Sequence, residues 1–351
     1  GVARISGSVV RAADLDADGD LDLFVGGRHV PHQYPSPASS MILINEQGQL
    51  INKTEGIAPD FKNIGMVTDA RWSDYDTDGD MDLILVGEWM PISLFENISG
   101  KLSRKETPDF SNTSGWWFSL AAKDMDGDGD DDYVVGNLGL NYKYKTSLEA
   151  PFDVYYNDFD GNNKYDIVLG YYNQNKHFPL RGFSCSSEQM PILKSTFKKY
   201  DVFAALQLEE VYGEENLKQS LHYKTQTFAS HYIENLGGGR FALSQLPSAA
   251  QWSNINSMLL EDFDGDGHID ILGVGNLWVS EIETPRNDAG VGIFLKGDSK
   301  GHFKSVALSE SGFYAPLDAK KILPVRINKK PYILVANNNE KLQVFLRSIK
   351  K

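Results

Sequence analysis

The chain alternates short apolar runs with acidic turns, and the same alternation occurs five times. Each unit has a run rich in β-branched and aromatic residues, then a turn rich in aspartate, then a second apolar run that ends near a glycine. The runs before the turns are GSVVRAAD, MVTDARWSD, WFSLAAKD, FDVYYND and SMLLED, and those after them are DLFVGG, DLILVG, DYVVGN, DIVLGY and DILGVG. The second runs are almost continuously apolar, which is typical of strands buried on both faces. The pattern therefore predicts five antiparallel hairpins.

A second hairpin follows the first in several units. SMILINEQGQLINKT, ISLFENISGKLSRKE, SHYIENLGGGRFALSQ and GIFLKGDSKGHFKSV each place a short glycine-containing turn between two alternating runs. Two successive hairpins make a four-stranded antiparallel sheet, so the predicted fold class is all-β. Residues 320–345 keep the strand–turn–strand plan without acidic residues in the turn, and they predict a sixth unit that binds no metal.

One region breaks this regularity. Between residues 183 and 228 the apolar positions recur at a spacing near 3.6, which predicts one or two amphipathic helices inserted into the fourth repeat. These helices would pack against the sheets or offer a surface to a partner. Apart from this insertion, residues 1–351 are expected to form a single domain. The apolar positions are Ile192, Leu193, Phe197, Tyr200, Phe203, Ala204, Val211, Leu217 and Leu221.

The distribution of charge adds chemistry to this pattern. The formal net charge is −14, and 23 aspartates lie in the five acidic turns. Such a chain is unsuited to nucleic acid, which needs clustered Lys and Arg. Because like charges packed so closely repel one another, each turn predicts a bound cation, and five divalent ions would change the net charge from −14 to −4. The single cysteine, Cys185, excludes an internal disulfide, and no apolar run is long enough for a membrane helix.

The five turns share one register of oxygen ligands. Positions 1, 3 and 9 are Asp, position 5 is Asp or Asn, and position 6 is Gly or, in the fourth turn, Asn163. Oxygens at alternate positions of a curled loop can converge on one Ca²⁺, with position 7 adding a backbone carbonyl. Gly or Asn at position 6 suits a left-handed residue, and Asp131, which has no ligand role, is expected to face solvent. The predicted Ca²⁺ ligands are Asp14, Asp16, Asp18, Asp20 and Asp22; Asp74, Asp76, Asp78, Asp80 and Asp82; Asp124, Asp126, Asp128, Asp130 and Asp132; Asp158, Asp160, Asn162, Lys164 and Asp166; and Asp262, Asp264, Asp266, His268 and Asp270, of which Asp20, Asp80, Asp130, Lys164 and His268 would act through backbone carbonyls.

An EF-hand loop, a Mg²⁺ site or a Zn²⁺ site fits the five turns less well. An EF-hand loop needs Glu at position 12, where this chain has Val25, Leu85, Val135, Leu169 and Gly273. Mg²⁺ prefers fewer carboxylates with retained waters, and Zn²⁺ prefers Cys and His. Acidic surface turns without any metal are the remaining alternative.

The pattern D-x-D-x-[DN]-G-x-x-D followed by a strand and a glycine resembles the FG-GAP/VCBS repeat of integrin α-subunit propellers and of many secreted or surface bacterial proteins. The resemblance covers about residues 9–346, apart from the insertion. It implies a Ca²⁺-binding β-propeller of six or seven four-stranded blades, with seven favoured, that is extracellular, periplasmic or at the cell surface. The stretches GNLWVSEIETPRNDAGVGIFLKGDSKGHF and ANNNEKLQVF look like the C-terminal propeller region of large bacterial multi-repeat proteins, which implies a monomeric propeller within a longer protein.

The loop that leaves each second strand must emerge on the face opposite the acidic turns. Ligand sites favour loops carried on a rigid scaffold, and these loops are rich in Asn, Trp, Tyr and Arg. Flat rings beside amide and carboxylate groups suit a glycan or a protein ligand, although loop caps and internal salt links are the structural alternative for any one residue. The predicted ligand-binding face comprises Arg28, Trp89, Asn137, Asn141, Tyr172, Arg181, Asn276, Trp278, Glu281, Glu283 and Arg286.

Together these features predict a non-catalytic, Ca²⁺-stabilised propeller of a secreted or cell-surface protein that binds a glycan or a protein partner through this face. The alternative is a Ca²⁺-dependent carbohydrate-active enzyme, a polysaccharide lyase or glycoside hydrolase, in which Glu88, Glu281 or Glu283 would act. His29 and His32 lie in the same loops and could serve as bases. The sequence contains no H-E-x-x-H or P-loop motif.

Overall fold

The first two acidic turns each lie inside a four-stranded antiparallel sheet. The structure, a computed structural model, describes residues 5–280 and 284–347. The first sheet contains β1 (Ser6–Ala13), β2 (Asp22–His29), β3 (Met41–Glu46) and β4 (Gln49–Asn52), paired in that order. A short helix, α1 (Thr54–Ile57), and a 3₁₀ turn (Pro59–Phe61) follow it. The second sheet contains β5 (Met66–Ser73), β6 (Asp82–Met90), β7 (Ser93–Ile98) and β8 (Lys101–Lys105), and after a 3₁₀ turn (Pro108–Phe110) the short strand β9 (Gly115–Trp116) pairs with the end of β6.

The third unit begins in the same way but is interrupted after its second strand. β10 (Ser119–Lys123) and β11 (Asp132–Gly136) flank the third turn. The chain then builds a separate sheet, the inserted sheet, from β12 (Phe152–Asn157), β13 (Asp166–Asn173), β14 (Lys176–Pro179) and β15 (Leu221–Thr225), in the order β14-β13-β12-β15. Only afterwards do β16 (His231–Asn235) and β17 (Phe241–Gln245) complete the third sheet, and β16 pairs directly with β11. The fourth acidic turn therefore lies in an insertion and not in the next sheet of the series.

Five short helices lie between β14 and β15, where the apolar spacing predicts one or two longer ones. The segment is divided by Pro191, at the start of α3, and by Gly213, which lies between α5 and α6 and has a φ of +83°. Leu193, Phe203 and Val211 are buried against Val168 of the inserted sheet, so the helices cover one face of it. The predicted helical position Leu221 begins β15. The helices are α2 (Phe183–Gln189), α3 (Ile192–Thr196), α4 (Tyr200–Ala205), α5 (Leu208–Tyr212) and α6 (Glu214–Gln219).

Two more sheets complete the series. A 3₁₀ turn (Ser248–Gln251) leads into the fourth sheet, which contains β18 (Ile255–Glu261), β19 (Asp270–Gly275), β20 (Ile293–Gly297) and β21 (Phe303–Ser305) around the fifth acidic turn. Helix α7 (Leu308–Ser311) precedes the fifth sheet, which has three strands, β22 (Ala319–Ile327), β23 (Lys330–Asn337) and β24 (Gln343–Leu346). This last unit has the predicted strand–turn–strand plan without acidic residues in its turn.

Apolar clusters join each sheet to the next in the series. In the first of them, Phe61 packs edge-on between Phe24 and Phe95, with ring centroids 5.5 and 5.0 Å away. This face-to-face series of antiparallel sheets confirms the predicted all-β propeller class. Five described sheets follow one another and a sixth is inserted, so the total number of blades stays a prediction. The buried pairs are Phe24 and Leu83 for the first interface, Ile84 and Tyr133 for the second, Tyr232 and Ile271 for the third, and Leu272 and Ile333 for the fourth.

Candidate metal centres and the loop face

Each acidic turn has the same unusual backbone. Position 6 has a positive φ in all five turns, as the sequence predicts. Position 4 is also left-handed, a feature not predicted from the sequence: Ala17 has φ +59° and Thr77 has φ +60°, and the other three turns have glycine there. Those glycines were the available signal, since an L residue pays a steric cost in this conformation. The position-6 residues are Gly19, Gly79, Gly129, Asn163 and Gly267.

The first carboxylate of each turn closes the loop by accepting backbone amides. Asp14 accepts the N–H groups of Asp18 and Gly19, both at 3.1 Å. The second and fourth turns repeat this pair of bonds, and the third and fifth use the amides of positions 4 and 6. The position-5 side chain accepts the position-7 amide in all five turns. These bonds hold the side-chain oxygens on the inside of the turn.

The aspartate at position 9 is the buried member of each turn and ties the turn to its sheet. It accepts the amide of position 2 in every turn. In the four turns of the series it also accepts an amide of the third strand, for example that of Asn45 at 2.8 Å. In the inserted sheet the side chain of Gln189 on α2 takes that place, at 3.2 Å. Exposure is 1% for Asp22, Asp82 and Asp132, 4% for Asp166 and 0% for Asp270.

Three carboxylates converge in every turn. Their ligand oxygens lie within 4.8 Å of one another, from positions 1, 3 and 9 in four turns and from Asp74, Asp76 and Asp78 in the second. Oxygens at this spacing can surround one ion, because Ca²⁺ holds its oxygen ligands at about 2.3–2.6 Å. The converging groups in the other turns are Asp14, Asp16 and Asp22; Asp124, Asp126 and Asp132; Asp158, Asp160 and Asp166; and Asp262, Asp264 and Asp270.

The electrostatics of the turns fit a divalent cation. Burial raises the pKa of Asp82 to about 7 and that of Asp132 to about 6, and burial together with neighbouring carboxylates raises the pKa of Asp130 to about 6. In the part of the chain that the structure describes, one buried carboxylate oxygen each of Asp20, Asp130 and Asp160 has no hydrogen-bond donor. A cation among these groups would supply the missing partner and offset the repulsion. These turns therefore could hold metal ions.

Two turns differ from the others in charge. In the fifth turn the ammonium group of Lys296 on β20 forms an ion pair with Asp264, which lowers the pKa of Asp264 and raises that of Lys296. In the fourth turn Asn162 and Lys164 stand where most other turns have aspartate. The fourth turn therefore has the lowest negative charge, and the fifth already has a cation of its own.

Polar side chains connect the first three turns to a neighbouring sheet. Asn97 Nδ2 donates to the Leu15 carbonyl of the preceding turn at 3.3 Å, and Asn235 Nδ2 donates to that of Tyr75 at 2.8 Å. Asp131 accepts a hydrogen bond from Ser73 Oγ of the second sheet at 2.9 Å. The expectation that Asp131 faces solvent was wrong, because the turn of one sheet meets the first strand of the sheet before it. These bonds fix the spacing of successive turns.

Several residues of the predicted ligand-binding face lie in the interior. Trp89 is 3% exposed, and Asn137 and Asn276 are 0% exposed. The Asn137 side chain accepts a hydrogen bond from the Trp116 amide and donates one to the Thr227 carbonyl. The Asn276 side chain donates to three backbone carbonyls, those of Gly290, Pro316 and Leu317. Both side chains hold loops in place. The sequence could not show this burial, because it results from the packing of distant loops and of the inserted sheet.

Trp89 packs beneath the inserted sheet. Its ring stacks on Phe152 of β12 at 5.8 Å and meets Trp116 edge-on at 5.0 Å. Trp89 Nε1 donates to the Tyr34 hydroxyl at 2.7 Å, and that hydroxyl donates to Glu88. Glu88 also forms an ion pair with Arg28. Burial and the Glu88 carboxylate raise the pKa of Tyr34 well above its ordinary value. Glu88 is thus an internal partner of two side chains.

Three other residues of this face, Asn141, Trp278 and Arg286, are not buried, and they form two pairs of contacts. Asn141 and Arg286 are exposed, and the Arg286 guanidinium lies 5.2 Å from the centroid of the Trp278 ring. Asn141 Nδ2 donates to the Trp252 carbonyl at 3.4 Å, and the side chains of Trp252 and Val279 are 46% and 75% exposed. We call Asn141, Trp252, Trp278, Val279 and Arg286 the aromatic patch. The predicted residues Glu281 and Glu283 lie outside the described residues.

The remaining predicted residues, Tyr172 and Arg181, lie in the insertion, where Tyr172 adjoins a group of side chains that the sequence does not predict. Asp153 is 2% exposed and lies between His222, whose Nε2 is 2.8 Å from one carboxylate oxygen, and His177, whose Nε2 is 3.1 Å from the other. Tyr172 stacks on His177 at 4.4 Å, and Arg181 bonds Gln189 at 3.0 Å. The three side chains come from three different strands, so no pattern of neighbouring residues in the sequence predicts this group. We call Asp153, His177 and His222 the Asp153 clamp.

Burial and the histidines act on the Asp153 carboxyl in opposite directions. Burial raises its pKa, but the contacts with His177 and His222 outweigh this, and the pKa lies below its ordinary value. A second tyrosine, Tyr155, stacks on His222 at 4.2 Å. The clamp therefore holds an ionised carboxylate between the two edge strands of the inserted sheet.

Within residues 5–280 and 284–347, none of the helices has the length and apolar character needed to cross a bilayer.

No curated protein sequence matches the chain. Solved structures similar to it include the V. cholerae biofilm matrix protein Bap1, with 10% identity, a TM-score of 0.29, and coverage of 97% of this chain and 77% of that one. Rhamnogalacturonan lyase YesW has 12% identity, a TM-score of 0.31 and coverage of 98% and 61%, and the Dos1 propeller has 9% identity, a TM-score of 0.28 and coverage of 97% and 78%.

One family model matches within the chain. The FG-GAP-like repeat matches residues 74–135, which run from the first aspartate of the second turn to the strand after the third. The matched segment thus contains two of the turns whose carboxylates converge. The resemblance drawn from the acidic turns is confirmed, since residues 74–135 match the FG-GAP-like repeat.

Proposed function

We propose that this chain is a calcium-stabilised propeller scaffold that binds a glycan or a protein partner. The observation that carries the proposal is the shared geometry of five turns in which three carboxylates converge. Every converging group is an aspartate, which favours a hard cation over Zn²⁺. The number of carboxylates around each position favours Ca²⁺ over Mg²⁺, which keeps several waters. The proposed ions number about five, one for each turn.

Chelation tests the calcium proposal. When the free Ca²⁺ concentration is about 100 times the Kd of a site, binding at that site stabilises the folded state by about 2.7 kcal/mol. Because several sites would be emptied together, dialysis against EGTA is expected to lower the Tm by on the order of 10 °C. Added Ca²⁺ should restore the Tm, and the same concentration of Mg²⁺ should restore much less. A Tm that is indifferent to EGTA, in a protein that holds no metal by elemental analysis, would end the calcium proposal.

The aromatic patch is our candidate for the ligand surface. Its two tryptophans offer flat apolar area, and Asn141 and Arg286 offer hydrogen-bond donors at its edge. This combination suits the faces and hydroxyl groups of a sugar as well as a polar protein surface. The buried residues Trp89, Asn137 and Asn276 would contribute by holding the loops and not by direct contact.

Binding by matched variants tests the patch. Trp252→Ala and Trp278→Ala should each weaken binding to a glycan or protein ligand found by array screening, with little change in Tm. Tyr200→Ala is the control, because this 65% exposed tyrosine lies on α4 of the insertion. Unchanged binding by both tryptophan variants would exclude the patch. Cleavage of a bound glycan would favour the carbohydrate-active enzyme over a binding protein.

The location that we propose is extracellular, periplasmic or at the cell surface. Loops of weak to moderate Ca²⁺ affinity fill where free Ca²⁺ is about millimolar, as outside cells. Fractionation of the source cells with an antibody to this chain would test the location. Recovery from the cytosolic fraction alone would contradict it.

A further inference from the structure

The second strand of each sheet shows whether both faces of that sheet are covered. The second strands of the second, third and fourth sheets, β6, β11 and β19, are buried along almost their whole length. β2 of the first sheet and β23 of the fifth alternate between buried and partly exposed residues. The first and fifth sheets are therefore each packed on one face only among the described residues.

The two uncovered faces are apolar. We call them the outer faces of the first and fifth sheets. On the first sheet, aligned rows cross three strands, and Val10 in one of them is 54% exposed. On the fifth sheet, Leu323 is 48% exposed and Val344 is 53% exposed. The rows are Val10, Val25 and Met41; Ala12, Leu23 and Leu43; Leu323, Leu334 and Val344; and Val325, Tyr332 and Leu346. Such rows resemble the covered faces of the inner sheets and not a solvated surface.

An asparagine on the first sheet also lacks the partner that its counterparts have. Asn97 and Asn235 each use the side-chain amide to reach a carbonyl in the turn of the preceding sheet. Asn45 has the same place on the third strand, accepts the Gly48 amide at 2.8 Å and bonds Asp22 through its own backbone. In the described part of the chain the Asn45 Nδ2 group has no such carbonyl. A preceding turn would supply one.

The first strands add a charge argument. Arg11 of β1 forms an ion pair with Asp69 of β5, and Arg71 Nη1 lies 3.6 Å from the same carboxylate. Lys321 of β22 lies within the field of all three groups: loss of hydration lowers its pKa, Asp69 raises it and the arginines lower it. Two arginines thus share one carboxylate, and Lys321 of the fifth sheet adds a third positive charge close enough to interact with them. An acidic or carbonyl-rich neighbour would complement them.

We propose that a further four-stranded antiparallel blade, from the same polypeptide outside residues 1–351, lies between the fifth and first sheets and covers both outer faces. The blade would be apolar on both sides, would carry an acidic turn that meets Asn45, and would continue the four interfaces already present in the series. A second copy of the chain fits less well. The gap lies between one face of the fifth sheet and one face of the first, whereas a second copy would bring its whole series of five sheets to it.

Footprinting tests the proposal without any substitution. Hydroxyl-radical labelling would be compared between the 351-residue chain and the natural polypeptide purified from its source. Peptides that contain Leu23, Leu43, Leu323 and Tyr332 should be oxidised several-fold more in the 351-residue chain, and peptides of the inner strand β19 should be labelled equally in both. Equal labelling of the outer faces in the two proteins would overturn the proposal.

Substitutions distinguish a blade from a second copy. A double variant with Leu323→Glu and Val344→Glu should leave the 351-residue chain folded. The matched control is a double variant with Lys101→Glu and Lys304→Glu, two exposed positions on strands. If the outer faces are protected in the 351-residue chain in a concentration-dependent way, and the Leu323/Val344 variant alone abolishes this, the occupant is a second copy and the blade is excluded.

The Asn45 contact gives an independent readout. Asn97→Asp and Asn235→Asp keep the acceptor oxygen but remove the donor, so both should lower the Tm of either protein. Asn45→Asp should leave the Tm of the 351-residue chain almost unchanged and lower that of the natural polypeptide. An Asn45→Asp variant that is neutral in both proteins would contradict the predicted contact with a preceding turn.

Discussion

At the residue scale, the acidic turns separate aspartates that look alike in the sequence into different roles. Asp132 is buried and accepts the amides of Met125 and Asn235 at 3.1 and 2.9 Å, whereas its neighbour Asp131 accepts the hydroxyl of Ser73. One carboxylate orders the turn and joins the converging group, and the other only joins two sheets. This pair of adjacent residues allows a matched comparison.

Asp132→Asn should affect both the empty and the calcium-loaded protein. An Asn side chain offers one acceptor oxygen, so one buried amide loses its partner at a cost of about 1–3 kcal/mol in EGTA. The stabilisation by Ca²⁺ should also fall, by roughly the contribution of one site. The free energy of unfolding, measured with and without Ca²⁺, checks this.

Asp131→Asn is the control for that comparison. It should cost about 0.5–1.5 kcal/mol for the altered bond to Ser73, and it should leave the increment from Ca²⁺ unchanged. Equal loss of that increment in both variants would mean that position 9 has no special place at the site.

The Asp153 clamp makes a pH-dependent contribution to stability. Its folded-state pKa lies below the ordinary value of 3.8, so the unfolded state binds the proton more readily. The stabilisation is complete above the unfolded value and is lost as the pH falls through the folded one. Asp153→Asn should therefore lower the Tm at pH 7, and the difference from the unmodified chain should shrink below pH ~4. A difference that stays constant from pH 7 to well below pH ~4 would show that the carboxylate charge is not the cause.

At the scale of elements, the sequence predicts local features well and distant pairings poorly. The turns, with their ligand register and flanking strands, are encoded within about a dozen residues, and the strands β1, β5, β10, β12 and β18 form where the apolar runs lie. The partner of β11 could not be predicted, because Tyr133 pairs with Ile233 across the whole insertion. The burial of Trp89 follows from the same insertion. Alternation and spacing specify an element, but which element lies over it depends on the chain path.

The inserted sheet is held to the series by aromatic packing, which a single truncation would test. Phe152 is 0% exposed, stacks on Tyr144 at 4.7 Å and contacts Trp89 and Trp116. Phe152→Ala should lower the free energy of unfolding by about 3–5 kcal/mol, since it leaves a cavity among rings that cannot collapse.

Phe178→Ala is the matched control, because this phenylalanine is only partly buried on edge strand β14 of the same sheet. Phe178→Ala should lower the free energy of unfolding by much less than Phe152→Ala does. Urea unfolding followed by tryptophan fluorescence reports on both variants, because Trp89 and Trp116 adjoin Phe152. Similar losses in the two would mean that the sheet is held elsewhere.

At the scale of the whole molecule, the net charge of −14 opposes compaction when the turns are empty. In EGTA, NaCl should therefore raise the Tm, because it screens the repulsion between turns over a Debye length of about 10 Å at 0.1 M. With Ca²⁺ bound, the same salt should have a much smaller effect. Thermal unfolding at NaCl concentrations from about 0.05 to about 0.5 M measures both responses. A salt response that is identical with and without Ca²⁺ would show that the turns do not dominate the electrostatics of folding.

The direct pairing of β11 with β16 also determines the order in which the protein can form during synthesis. Ile233 follows its partner Tyr133 only after the insertion, so the ribosome must release the whole insertion before the third sheet can close. Pairings so far apart in sequence slow folding, since a long segment must be ordered or looped out first. Until then, β11 has an unpaired edge that another chain could extend. A translational pause or a bound chaperone while residues 137–230 emerge would protect that edge.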